Sequence, residues 1–267
     1  MRHDWNRDAQ RSARALLHRF GVREPHHVIV EAFAARLGVE IIEAPLDGAT
    51  AQLVRMGSRT VIFVADRVVD PAARRFSIAH ELGHLVLKHP SRDPKELCGK
   101  YGSPRHNDAR DFEAEANAFA SELLMPSRIL RQSCEISPVD LEVPRRIARE
   151  YNVSILASAR RFTELASERC AAVFSAGREV KWCARSATFS HAIIRGRRIE
   201  SSSLAWDYFA RGAIADEPQA VPADAWLDTP EDVDIIEHSI CSRELGTVLT
   251  MLWVPERAAS RLGWDEN

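Results

Sequence analysis

His80-Glu81-Leu82-Gly83-His84 constrains this chain more than any other stretch. In a helix the i, i+4 spacing puts both imidazoles on one face, one turn apart, where they can grip a single metal ion. The flanking residues predict that helix. Asp70-Pro71 supplies an N-cap and a proline at the first helical position, Ile78, Ala79, Leu82, Leu85 and Val86 give it an apolar side, and His89-Pro90 stops it after Lys88. Glu81 then projects beside the ion, placed to take a proton from water there, the role such a residue has in zinc peptidases. Two imidazoles and one carboxylate suit zinc best among the divalent ions.

A catalytic zinc generally takes three protein ligands and keeps one position open. A second helix is predicted from about Asp111 to Met125-Pro126, with Phe112, Ala116, Phe119, Ala120 and Leu123 on one face. It offers Glu113 as the third ligand and Asn117, one turn later, as an outer hydrogen-bond partner. Glu115 and Glu122 are rivals, although Glu115 points away from the Glu113–Asn117 face. Residues 90–110 between the helices read as a long loop rich in proline, glycine and polar side chains. Within it Cys98 has two readings, a thiol packed as a small hydrophobe or an inhibitory fourth zinc ligand in the water position. Tyr101, His89 and His106 are near enough in sequence to stabilise an oxyanion, but each also reads as an ordinary loop or helix-end residue and none is assigned to the site.

The rest of the chain predicts an α+β protein. At roughly 150 residues per domain, 267 residues make one large domain or two modest ones, and a change of texture favours two. Two helices are expected before Gly21 and Gly38, then short strands at Val39–Ile42, Ala51–Val54 and Thr60–Ala65, the last two joined across Gly57-Ser58. Further helices are expected over Val143–Tyr151 and Ser154–Ala166, and β-rich segments follow Cys170. The expectation is a mostly helical, zincin-like domain with a small sheet over 1–168 and a β-rich α+β domain over 171–267. Arg145, Arg146, Arg149, Arg160 and Arg161 could belong to a DNA-contacting helix-turn-helix, but nearby acids nearly balance them and a packing role is favoured.

With 36 Lys and Arg against 38 Asp and Glu, the formal charge of −2 shows no overall basic excess, so any nucleic-acid surface must be local. No stretch is long and apolar enough to span a membrane, and MRHDWNRDAQRSAR is too charged for a signal peptide, which points to the cytoplasm. The 5 cysteines form an odd set without a CxxC pair, against both a disulfide scaffold and a cysteine-rich zinc module.

Two blocks, RRFSIAHELGHLVLKHP and EAEANAFASELLMPSRIL, resemble the motifs of the ImmA/IrrE metallopeptidases, a gluzincin-like zinc family, and the resemblance spans about residues 30–165. It implies one zinc ion held by His80, His84 and Glu113, with Glu81 as general base. It also implies limited proteolysis of a helix-turn-helix repressor encoded in a mobile-element, damage-response or phage-defence operon. Some relatives carry a GAF-like C-terminal sensor domain, with which the texture around Trp182, Trp206 and Trp253 is compatible. Nucleic acid released by damage or infection, single-stranded DNA in particular, is the expected activator. The competing expectations are a zinc-containing transcription regulator that acts by protein or DNA binding with proteolysis lost, and a general peptidase.

Overall fold

Local caps and apolar stripes account for the N-terminal elements of the computed structural model, which describes residues 4–90 and 111–264. Cys98, Tyr101 and His106 lie outside the described residues. In α1 (Trp5–Arg19) the Asp4 carboxylate accepts from the Arg7 N–H, and Ala9, Ala13, Leu16 and Leu17 form the buried stripe. The second helix, α2 (Val30–Arg36), buries Val30, Phe33 and Ala34. Gly21 and Gly38 follow these helices with φ of +70° and +73°, the left-handed conformation that ends a helix cheaply only at glycine.

Three strands follow, β1 (Val39–Ala44), β2 (Ala51–Met56) and β3 (Arg59–Ala65), in the order β1-β3-β2. The last two form an antiparallel hairpin with Val54 opposite Val61, whereas β1 runs parallel to β3 with Val39 opposite Thr60. That order leaves β2 at an edge, with main-chain groups on one side unclaimed by the sheet.

The helix carrying the histidines is α3 (Pro71–Val86), capped by Asp70, whose side chain accepts from the Ala73 N–H at 2.9 Å. Ile78, Ala79 and Leu82 are fully buried, and the helix packs on β2 and β3 as well as on the helix that follows it. Next comes α4 (Phe112–Leu124), capped by Asp111 and packed against both α1 and α3. Gly83 sets how close α3 and α4 approach: a Cβ there would lie 3.2 Å from the Ala116 backbone and the Phe119 ring. The sequence between the histidines thus admits a close helix crossing as well as metal-ligand spacing.

Beyond α4 the chain forms α5 (Ser127–Cys134), α6 (Glu142–Tyr151) and α7 (Ile155–Leu165). They lead into β4 (Cys170–Ala176), β5 (Glu179–Arg185), α8 (Leu204–Arg211), β6 (Gln219–Pro222), β7 (Asp234–Ser242), β8 (Thr247–Trp253) and α9 (Glu256–Arg261). The five strands make one antiparallel sheet ordered β5-β4-β8-β7-β6. Its core includes Val173, Phe189, Trp226, Ile235, Val248 and Leu252. Buried thiols Cys134 and Cys170 have their pKa pushed up by desolvation, to about 11 and about 12, as inert packing groups should.

The architecture is α+β, with a helix-rich N-terminal part bearing a small sheet and a β-rich remainder. Packing divides the chain into a unit of Met1–Ile129 with Glu150–Val153 and a unit of Leu130–Arg149 with Ser154–Asn267. Most of α5–α7 therefore groups with the C-terminal sheet, whereas the texture of the sequence groups it with the preceding half. Within the second unit Arg145 pairs with Glu142 and Asp216, and Arg160 and Arg161 both reach Glu164. These arginines are engaged by acids of their own unit. Among the described residues no helix is long and apolar enough to cross a membrane.

Candidate metal centre

The α3–α4 crossing brings His80, His84 and Glu113 to one point. The two Nε2 atoms lie 3.0 Å apart, and the Glu113 oxygens sit 3.3 Å from each of them, Oε2 at His80 and Oε1 at His84. One ligand atom from each residue fits within a 4.8 Å span. Both imidazoles are mostly buried, while the Glu113 side chain is 45% exposed, so the cluster opens on one side. Two imidazole nitrogens and a carboxylate aimed at one point make a donor set that fits zinc and leaves room for a further ligand. Among the described residues Glu24, His26 and His27 also cluster, but all three are exposed and His27 Nδ1 already accepts the Arg23 N–H.

Outer contacts orient these groups. Asn117 Oδ1 lies 3.0 Å from His80 Nδ1, so an Nδ1–H there leaves the Nε2 lone pair turned inward. His84 Nδ1 lies 2.9 Å from Nδ1 of His89, whose Nε2 is 3.2 Å from the Glu115 carboxylate. Burial disfavours the charged form of His80, but the Glu113 hydrogen bond and the charges of Glu81 and Glu113 outweigh it, and its pKa rises above the ordinary 6.5.

Glu81 stands beside this cluster, and its Oε2 accepts the Leu53 N–H at 2.8 Å from the edge of β2. The strand thereby fixes a carboxylate that the helix alone would leave to rotate. The other carboxylates of α4 are used elsewhere: Glu122 accepts from both the N–H and hydroxyl of Ser127 and faces Arg14, while Glu115 is 1% exposed beneath His89. Sequence reasoning placed His89 among candidate oxyanion groups; the structure buries it to 4% exposure between His84 and Glu115. The one signal for that contact is the count of five residues from His84, which becomes informative only once the helix end is known to turn back.

A histidine pair one turn apart, an intervening glutamate and a carboxylate from the next helix, set over a small mixed sheet, define a domain of the metallopeptidase type. The family model described as Peptidase_M78, IrrE N-terminal-like domain, matches residues 34–163. Residues 34–163 thus carry a domain of the ImmA/IrrE family. It is also similar in fold to a solved structure, a Mycobacterium tuberculosis transcriptional regulator, at 15% identity and a TM-score of 0.58, over 96% of this chain and 78% of that one. A search of curated proteins found no match.

Proposed function

We propose that this protein is a regulatory zinc-dependent endopeptidase that acts in the cytoplasm and cuts a partner helix-turn-helix repressor, derepressing a defence or stress operon. The reading rests on one observation above all, the convergence of His80, His84 and Glu113 with Glu81 fixed alongside. His80, His84 and Glu113 would hold the metal. When bound, zinc would supply a Lewis acid that polarises the scissile carbonyl and acidifies water. Glu81 accepts the proton of the attacking water at its carboxylate and returns it to the leaving amine nitrogen. The Leu53 N–H keeps that carboxylate from swinging away, and the close crossing at Gly83 keeps Glu113 in reach of both histidines.

In this reading residues 1–168 are the peptidase module, as the family match over 34–163 supports, and residues 171–267 are a GAF-like sensor. The open antiparallel sheet with α8 and α9 is compatible with that role. Nucleic acid, single-stranded DNA first, is the proposed activator, and Cys98 is the proposed inhibitory fourth ligand.

The test is cleavage of the helix-turn-helix protein encoded beside this gene, read by mass spectrometry with zinc present, with and without single-stranded DNA. A single cut is expected, reduced about 10²–10⁴-fold in Glu81→Gln. Dependence on DNA would identify the signal, and basal cleavage should rise in Cys98→Ser. If Glu81→Gln relieves repression as well as the wild type, a regulator acting by binding replaces the peptidase.

A further inference from the structure

His84 reaches His89 because α3 ends in an uncommon way. Lys88 takes a left-handed φ of +56°, a conformation in which glycine is usual, and the chain folds back so that the Lys88 N–H bonds Leu85 O at 3.2 Å and the His89 N–H bonds His84 O at 3.0 Å. This pair of bonds sets the His89 ring beside His84. Its far face meets the Phe112 ring, centroids 4.7 Å apart, and its Nε2 meets Glu115. His89 and Glu115 are 4% and 1% exposed, so the contact is shielded from water.

Two Nδ1 atoms 2.9 Å apart share one proton, and the neighbours decide which ring carries it. Glu115 is a carboxylate that accepts, which draws the His89 proton to Nε2 and leaves His89 Nδ1 as an acceptor. His84 must then donate from Nδ1, so its Nε2 presents a lone pair toward His80 and Glu113. We infer that His89 and Glu115 form a buried positioning relay that fixes His84 in the tautomer able to bind metal. The inference rests on the zinc reading proposed above. His80 is set in the same tautomer by a different device, the neutral Asn117 amide. The relay places a carboxyl group behind the His89 ring, which strengthens His84 Nε2 as a donor and makes this half of the site the more sensitive one.

The test uses the full chain and zinc itself, measured by competition with a chromogenic chelator, alongside thermal unfolding of the metal-free protein. His89→Leu removes the acceptor and should raise the zinc Kd roughly 10–100-fold. His89→Asn keeps an oxygen in place of Nδ1 and should recover most of the loss, with the shape-preserving Glu115→Gln between them. Long-range 1H–15N spectra of the metal-free wild type should show His84 protonated at Nδ1 and His89 at Nε2. A His84 found protonated at Nε2, or a folded His89→Leu protein with wild-type zinc Kd, overturns the relay. Should His89→Leu fail to fold, Glu115→Gln and the spectra decide. A wild type that binds no zinc, or a His84→Ala protein that binds it as well as the wild type, overturns the zinc reading instead.

Discussion

Glu113 in the first unit and Glu237 in the second both face several nitrogen donors, and their surroundings are opposite in kind. Glu237 is 0% exposed and receives the Leu204 and Ala205 N–H groups at the start of α8, the Trp226 indole at 2.7 Å and the Ser239 hydroxyl at 2.8 Å. Four donors from three parts of the fold close around it, although burial still lifts its pKa above the ordinary carboxylate range. Glu113 is nearly half exposed and faces imidazole nitrogens that lie 3.0 Å from one another. A buried carboxylate with every neighbour donating holds a fold together. One set among atoms that can all present lone pairs can hold a cation.

That contrast can be broken by matched substitutions. Glu113→Gln should cost more zinc affinity than the roughly 10–100-fold typical of losing an outer partner, with little change in metal-free melting. Glu237→Gln should do the reverse. Its amide nitrogen would meet two of the four donors, costing about 3 kcal/mol of stability, read by denaturant unfolding, with zinc affinity untouched. Equal losses of metal-free stability in the two variants would show that Glu113 too is chiefly structural.

The smallest effect concerns pH. His238 is buried, and its Nδ1 accepts the Leu141 N–H at 3.2 Å. Desolvation first, then the charge of Arg145, holds its pKa below the ordinary 6.5, against the opposing pull of Asp140, Asp216 and Glu142. The unfolded chain takes up this proton at higher pH than the folded one. Its contribution to stability is therefore complete above about pH 6.5 and declines as the pH falls toward the folded value. His238→Asn keeps an acceptor for Leu141 and removes the titration, so the slope of unfolding free energy between pH 7 and 5 should flatten. An unchanged slope would assign that acid sensitivity to other groups.

Much of the first unit was legible because its signals are local. Asp70-Pro71, the apolar period and the i, i+4 histidines specify α3 within a few turns of chain, and the Glu113–Asn117 pair specifies a face of α4 in the same way. The β2–β3 hairpin carried its own turn signal, but the parallel pairing of β1 with β3 did not, since neither strand records its neighbour. In the second unit the three most apolar strands were legible as β-rich segments; β6 and β7 were not, because they lie in acidic or mixed sequence and acquire partners only in the sheet. The helix α5 also went unread, because Met125-Pro126 reads as a stop and its mostly polar sequence buries only Leu130 and Cys134.

The sequence by itself determined the one-turn spacing of His80 and His84 on α3 and the shared face of Glu113 and Asn117 on α4, because these depend on spacing along single helices. Only the tertiary structure decided that β2 would fix Glu81, that most of α5–α7 would pack with the C-terminal sheet, and that His89 and Glu115 would meet behind His84. Each of those contacts joins residues from different elements, and its energy comes from burial and hydrogen bonds that exist only after the elements have packed.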